Sequence, residues 1–312
     1  MIALLCAAAA VQQSVPRGPV DFGADEALME PRERRTILDG NVRLTRGDLI
    51  VTGAHAVAEF APGAQQPEAP PPARRGGKAQ RKLPQPKPGV AGQKLQRFTI
   101  EGNVHVQRGG RTADGEHGVV DMESETLVLT GRPDAQPVLR DGSETLTGER
   151  ILLHLDSDDV DVTRPRLVLR RSLPAEGSQT KAVPVRVEAV RLVLDQARHL
   201  ARFSDEVVVR RGDATVRSPR MDARYDPTGQ LTRLELRGGV DLRQGDRRAT
   251  GDKADYDAQT RQVVLTGDPR LYDRGDVLSG DRIGLALDSH EVRIDKARGR
   301  VRPEIHQGEV KP

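Results

Sequence analysis

The chain has 312 residues, of which only 2% are aromatic and none is Trp, so Val, Leu and Ala must fill any buried core. The formal net charge is +3, but residues 61–94 hold seven basic residues and one acid, a local charge of +6 that leaves −3 for the remainder. The nearly neutral remainder argues against nucleic-acid binding by the folded body, which would need a basic stripe on its surface.

The N-terminus carries a short apolar run, residues 2–11, which contains the only cysteine, Cys6, and ends in Ala8–Ala10. The run is too short to span a bilayer, which takes ~20 residues. It resembles the apolar core and cleavage end of a secretory signal peptide without its basic first region. We therefore predict a signal peptide over residues 1–13 and an exported protein. The alternative is an N-terminus without a targeting role.

Three further segments are predicted to lie outside the folded repeats. Residues 14–35 form a polar lead-in, and residues 306–312 a C-terminal tail. Residues 61–94 contain eight prolines and few apolar side chains, so they cannot bury enough surface to fold. We expect them to form one enlarged hairpin loop, either a solvated tether or a contact with an anionic lipid surface. Residues 171–184 form a smaller insertion of the same kind.

A Gly-flanked phrase recurs through the remaining chain. The clearest copy spans residues 251–267, close relatives begin at Gly115, Gly148 and Gly280, and divergent copies cover residues 188–206 and 218–239. Apolar residues alternate with polar ones in each copy, which is typical of strands with one buried face. In the copies that begin at residues 115, 148, 218, 251 and 280, an Asp follows the first residue by six or eight positions. A difference of two leaves every side chain on its own face of the sheet.

The Asp of each copy precedes a short polar stretch, where a carboxylate can accept hydrogen bonds from backbone N–H groups two or three residues on. We therefore predict that these residues form hairpin turns rather than an active site. They are Asp121, Asp156, Asp195, Asp226, Asp257 and Asp288.

The sequence contains no convincing catalytic or metal-binding motif. The seven histidines never fall at zinc-ligand spacing, and no nucleophile elbow or phosphate-binding loop is present. The acidic run 156–161 could suggest calcium and the pair Asp255/Asp257 a glycosidase, but both coincide with repeat turns. We predict no catalytic residue, no metal and no cofactor. A β-helical polysaccharide enzyme is the weakest hypothesis.

The pieces 38–44 (LDGNVRL), 100–106 (IEGNVHV), 251–256 (GDKADY) and 264–269 (VLTGDP) resemble the repeat of the OstA-like family, the LptA-type periplasmic lipopolysaccharide-transport proteins. The resemblance covers residues 36–60 and 98–305. It implies an all-β, twisted, partly open β-jellyroll over residues 36–305, built of stacked antiparallel hairpin repeats. The implied protein is periplasmic and non-catalytic, binds lipopolysaccharide or a related envelope lipid, and joins other Lpt-type jellyrolls or its own copies head to tail by strand-edge pairing. The extra length leaves room for two fused modules.

The alternating apolar residues are the candidates for an acyl-chain trough that this resemblance implies. From the residues alone a closed, dry core is equally compatible, and so is a closed β-solenoid that serves as an envelope scaffold or adhesin without lipid. Outward arginines such as Arg210, Arg211, Arg247 and Arg248 could meet lipid phosphates or simply be solvated. The trough candidates are Val42, Leu44, Val104, Val106, Leu127, Leu129, Leu153, Leu155, Leu192, Leu194, Val207, Val209, Leu234, Leu236, Val240, Leu242, Val263, Leu265, Leu285 and Leu287.

Overall fold

The computed structural model describes residues 19–62, 94–142, 144–169, 183–286 and 291–300, which form 24 β-strands. No helix in these ranges is long and apolar enough to cross a membrane. The first twelve strands are β1 Asp21–Gly23, β2 Glu26–Glu30, β3 Arg35–Arg46, β4 Leu49–Phe60, β5 Leu95–Arg108, β6 Arg111–Asp121, β7 Thr126–Thr130, β8 Val138–Asp141, β9 Glu144–Thr147, β10 Arg150–His154, β11 Val160–Thr163 and β12 Arg166–Leu169. The other twelve are β13 Val185–Glu188, β14 Arg191–Asp195, β15 Leu200–Arg211, β16 Ala214–Tyr225, β17 Leu231–Gln244, β18 Arg247–Asp257, β19 Gln262–Thr266, β20 Arg270–Asp273, β21 Asp276–Ser279, β22 Arg282–Ala286, β23 Val292–Asp295 and β24 Arg298–Arg300.

Eight long strands, β3–β6 and β15–β18, organise the fold. The pairing of neighbouring long strands is interrupted by a shift of register near their middle, for example between Glu101 and Val104 of β5. The backbone there contains left-handed residues such as Gly102 and Asn103, at φ +77° and 53°. Because a bulge bends its strand, the two halves of each long strand point in different directions.

The two halves belong to two layers. Layer A begins with β2, which is followed by one half of each of β3, β4, β5 and β6, and the half of β6 in this layer is the one that pairs with β7. The spatial order then continues with β7, β10, β11, β14, the matching halves of β15–β18, β19, β22 and β23. Layer B contains β1, the other halves of β3–β6, then β8, β9, β12, β13, the other halves of β15–β18, β20, β21 and β24. Every pairing is antiparallel. The fold is therefore an all-β jellyroll of antiparallel hairpins, as the sequence predicted.

The layers are connected along one side only. On that side, the crossing line, the chain passes between layers through the bulges of the long strands or through short links such as residues 148–149 and 164–165. On the opposite side, which we call the seam, hairpin turns of layer A face hairpin turns of layer B. No strand pairing within the described residues joins the layers across the seam. The hydrophobic core lies between the layers and runs through both halves of the chain.

The fold is a tandem repeat of one twelve-strand module. Each pairing among β1–β12 recurs among β13–β24 between strands twelve places later, for example β6–β8 and β18–β20. Only two pairings, β11–β14 and β12–β13, join the N-terminal to the C-terminal module. The structure therefore contains two fused modules, for which the extra length of the chain leaves room.

The structure adds two elements to those predicted from the sequence, since β1 and β2 lie within residues 14–35, where only a polar lead-in was expected. Both pair with β3. Strands β4 and β5 pair directly on either side of the Pro-rich segment, with Phe60 opposite Leu95. The predicted signal peptide, most of the segments 61–94 and 171–184, and the predicted tail lie outside the described residues.

Candidate functional site

The space between the layers is lined by the inward-facing residues of every strand. Because side chains alternate along a strand, these residues form parallel rows that run from the crossing line to the seam. Fourteen of the sequence-predicted trough residues are buried there: Val42, Leu44, Val104, Val106, Leu127, Leu129, Leu155, Leu192, Leu194, Val207, Leu236, Val240, Val263 and Leu265. Five more are half-buried against the same core: Leu153, Val209, Leu234, Leu242 and Leu285. Leu287 lies outside the described residues.

The interior is packed, with aromatic residues at one end of the N-terminal module. Phe22 lies 6.3 Å from both Phe60 and Phe98, measured between ring centroids. Phe98 and Leu129 are completely buried. Side chains therefore fill the space between the layers at this end. The aromatic residues were not among the sequence-predicted site residues, although Phe98 continues the alternation that leads to Ile100.

The two modules differ in how tightly the interior is closed. Val106 is 3% exposed, whereas Leu242, its counterpart in the C-terminal module, is only half-buried. Leu127 is inaccessible, while its counterpart Val263 is 8% exposed. Leu44 and Val209 differ in the same direction. The interior of the C-terminal module is thus the more accessible of the two.

A groove opens at the seam of the N-terminal module. It is lined from layer B by residues such as Leu49 and Leu139 and from layer A by Leu153 and Leu155. Charged side chains also line it, among them Arg108. Apolar and charged side chains therefore meet where the two layers face each other.

Two arginines reach across the seam, and one of them, Arg108, lines this groove. Arg46 Nη2 lies 3.2 Å from Glu125 Oε1, and Arg108 Nη1 lies 2.7 Å from Asp158 Oδ1. Both arginines belong to layer B and both carboxylates to turns of layer A. A further carboxylate, Asp48, lies 3.7 Å from Arg108 Nε. These ion pairs hold the layers together at the seam.

These arginines are not among the trough candidates, although the alternation of apolar residues extends to both of them. Arg46 extends the buried alternation of Val42 and Leu44, and Arg108 extends that of Val104 and Val106. An arginine in an inward row is unusual because burial of a charge costs free energy unless the charge is paired.

The repeat aspartates act as turn formers where the structure describes their contacts. Asp121 Oδ1 accepts hydrogen bonds from the backbone N–H groups of Ser124 and Glu123, at 2.9 and 3.1 Å, and Asp257 accepts them from Thr260 and Gln259. The N–H of Ser124, more than any other group, lowers the pKa of Asp121, and the N–H of Thr260 does the same for Asp257.

Two other repeat aspartates follow the same scheme. Asp226 accepts hydrogen bonds from the hydroxyl and N–H of Thr228 and from the N–H of Gln230, and these lower its pKa. Asp195 accepts one from the N–H of Arg198. The prediction of turn chemistry is confirmed at these four positions. It stays a prediction at Asp156, and Asp288 lies outside the described residues.

The groups that suggested catalysis from the sequence have structural partners instead. Asp255 pairs with Lys253 at 2.8 Å and with Arg233 at 2.9 Å, while Asp257 holds its turn. In the part of the chain that the structure describes, no three His, Cys, Asp or Glu side chains are grouped to hold a metal ion. Three of the four arginines considered as lipid contacts form ion pairs: Arg210 with Glu188, Arg247 with Asp273 and Arg248 with Asp241.

The fold and its interior define the class of protein. It is a tandem two-layer β-jellyroll that encloses a continuous apolar core, closed by backbone along the crossing line and by side chains along the seam. Comparison with known proteins identifies the family. The protein-family model described as "LptA/(LptD N-terminal domain) LPS transport protein" matches residues 22–159 and 186–291, which is most of the chain. The chain belongs to this family of lipopolysaccharide-transport proteins.

Individual relatives match shorter regions. An uncharacterised protein of Rhizobium meliloti (strain 1021) is 24% identical over 131 residues, which are 39% of this chain and 70% of that protein. The LPS-assembly proteins LptD of Pseudomonas savastanoi pv. phaseolicola and Pseudomonas syringae pv. tomato are each 36% identical over 75 residues. The chain spans only 8% of the length of these LptD proteins. The crystal structure of LptH, the LptA homologous periplasmic component of the lipopolysaccharide transport device of Pseudomonas aeruginosa, aligns with 56% of this chain and 97% of its own at 15% identity and a TM-score of 0.34.

Proposed function

We propose that this protein is a non-catalytic periplasmic carrier that binds the acyl chains of lipopolysaccharide between its two layers and passes the lipid toward the outer membrane. The observation that carries the proposal is the one-sided closure of the apolar interior. Only side chains close the seam, so the layers can part there without breaking any described backbone pairing. Each CH₂ group that enters gains ~0.8 kcal/mol from leaving water, which offsets the separation of the layers.

The experiment is photo-crosslinking in cells that make lipopolysaccharide. A photoreactive residue is placed at the inward positions Leu129, Leu236 and Leu265, and at the outward position Arg233, whose side chain is 50% exposed. The proposal expects lipopolysaccharide adducts at the three inward positions and none at Arg233. Equal labelling at all four positions, or none at any while the protein remains folded, contradicts the proposal. The absence of adducts would favour a closed envelope scaffold without lipid.

We further propose that the carrier extends into a bridge through its end strands, and the junction between its modules supplies the model. At the junction Val160 of β11 lies opposite Leu194 of β14, and Val162 opposite Leu192. The equivalent strands at the chain's two ends are β23 and β2. When one copy follows another in the same way, Val292 lies opposite Met29, and Ile294 opposite Ala27.

The side chains on these end strands support such a contact. Leu28, Met29 and Val292 are 59%, 50% and 39% exposed and are three of the four large exposed apolar residues in the described ranges. An unpaired edge with exposed apolar side chains is a ready template for strand addition. In layer B the same arrangement places Arg300 opposite Asp21, a favourable cross-strand pair.

Cysteine crosslinking tests both the contact and its register. In a background with Cys6→Ser, the pair Met29→Cys and Val292→Cys places two thiols opposite each other between copies. The control pair Leu28→Cys and Val292→Cys shifts one thiol to the other face of the strand. We expect disulfide-linked oligomers from the first pair and few from the second. Equal yields from both pairs would refute the register, and a strictly monomeric protein in sedimentation would refute the self-association.

A further inference from the structure

The seam of the N-terminal module is bordered by an unusual row of residues. The strand pairings align Arg46 with Leu49, Leu49 with Arg108, Arg108 with Arg111, and Arg111 with Asp141. Each is the outermost inward-register residue of its strand before the seam. Adjacent strands lie about 4.8 Å apart, so the backbones of Arg46 and Arg108 are about 10 Å apart. Three arginines therefore belong to one row at the seam end of the inward-facing residues, with Leu49 between Arg46 and Arg108.

Arg46 is incompletely paired in this position. Its side chain is only 7% exposed, yet only Nη2 reaches a carboxylate, that of Glu125. Nε and Nη1 are buried and have no hydrogen-bond partner among the described residues. A guanidinium buried with two donors unsatisfied is costly. Nε and Nη1 face different directions, so a ligand with several acceptor oxygens satisfies more of these donors than the single carboxylate oxygen on Nη2 does.

The C-terminal module repeats Arg111 and Asp141 as Arg247 and Asp273, but it does not repeat the two ion pairs that cross the seam. Arg211 and Arg261 occupy the positions of Arg46 and Glu125, and Gln244 occupies that of Arg108. Arg211 is also exposed, unlike Arg46. The pairs Arg46–Glu125 and Arg108–Asp158 are thus specific to the N-terminal module and are not a requirement of the module's fold. A role in ligand binding accounts for this difference, because both modules fold by the same pairing scheme.

We propose that Arg46 and Arg108 form a binding site for a phosphate group of the lipid headgroup. The inference rests on the proposed function, because the acyl chains must occupy the interior beneath these residues. Arginine binds phosphate oxygens through two parallel N–H donors, and a phosphate carries more charge than the carboxylate it would replace. Exchange of Glu125 and Asp158 for a phosphate also removes the two ion pairs that hold the layers together at the groove. Headgroup binding therefore frees the seam for acyl-chain entry.

The test compares a phosphorylated lipid A with its dephosphorylated counterpart of identical acyl chains, using photo-crosslinking at Leu129 to measure the affinity of each. The wild-type protein should bind the phosphorylated lipid about tenfold more tightly, and Arg46→Gln or Arg108→Gln should remove this preference without weakening binding of the dephosphorylated lipid. Arg211→Gln, at the equivalent position of the C-terminal module, is the control and should leave the preference intact. Thermal unfolding checks that each variant folds. Because Arg108 is the more exposed of the two arginines, Arg108→Gln remains informative if Arg46→Gln is unstable.

A carboxylate variant separates a ligand site from a purely structural ion pair. Glu125→Gln removes the competitor of the phosphate, so it should increase affinity for the phosphorylated lipid while Arg46→Gln decreases it. Equal effects of the two variants would overturn the proposal. Equal crosslinking of both lipids to the wild type would also overturn it but would leave the carrier function standing, whereas the absence of any crosslink contradicts the carrier function itself. Inorganic phosphate should compete only at millimolar concentration. Saturation at micromolar concentration, without a gain from the lipid, would overturn the assignment to a headgroup.

Discussion

The bend of the long strands at the crossing line can be tested at a single glycine. Gly102 has φ +77°, and a Cβ atom added there would lie 2.9 Å from the Cβ of Ala54 on the neighbouring strand. The left-handed conformation costs an alanine roughly 1–2 kcal/mol. The steric conflict with Ala54 adds about 1–3 kcal/mol, because backbone must shift to relieve it. Gly102→Ala should therefore lower the free energy of unfolding by about 2–5 kcal/mol, a large part of the ~5–15 kcal/mol of a typical domain.

Urea denaturation followed by circular dichroism measures this effect, and Gly110→Ala is the matched control. Gly110 lies in the hairpin turn at the seam end of the same strand, and a Cβ atom there would meet no atom within 4 Å. We expect its unfolding midpoint to stay unchanged or rise slightly, because alanine restricts the unfolded chain. The midpoint of Gly102→Ala should fall at an unchanged denaturant slope. Equal midpoints for the two variants would refute the close approach of strands at the crossing line.

Further expectations concern the core and the turns. Leu129→Ala, at a completely buried position, should cost about 3–5 kcal/mol in urea unfolding, and Leu242→Ala, at a half-buried one, about half as much. A reversed order would contradict the difference in burial between these two positions. Asp257→Ala removes the acceptor of two turn N–H groups and should lower the thermal midpoint more than Asp257→Asn, which retains an oxygen. The pKa values of Asp121, Asp226 and Asp257 are lowered in the folded state, so their stabilisation is present above the unfolded pKa of about 4 and is lost as the pH falls through the folded values. Stability measured against pH should decline in this acidic range, and a flat profile would contradict the contribution of the turns.

The sequence predicted the parts of this fold that follow from local pattern. Alternation predicted which side chains point inward, since Leu127 and Leu129 of β7 are both buried while the residues between and beside them are not. The Asp-centred turns were predictable because their hydrogen bonds span only two to four residues.

What the sequence did not reveal depends on contacts between distant segments. The division of each long strand between two layers arises at bulges such as Gly102–Asn103, and only the partners of each half show that the strand changes layer. The strands β1 and β2 were missed because they are short and largely exposed and depend on β3 for pairing. Arg46 was missed because its value as a site residue depends on Glu125, which lies 79 positions away in the sequence.

The tandem architecture connects the ends of the protein with its interior. At the module junction two strand pairings continue layers A and B from one module into the next, so the rows of inward residues also continue. A contact between copies that repeats this junction would extend both layers in the same way, and the apolar space would continue from copy to copy. The seam would continue with it, because the hairpin turns of successive modules fall on the same side. A lipid held by its acyl chains could then move along the interior while its headgroup stays outside the seam. In this arrangement the arginines of each N-terminal module would recur once per copy, at every second module along the assembly.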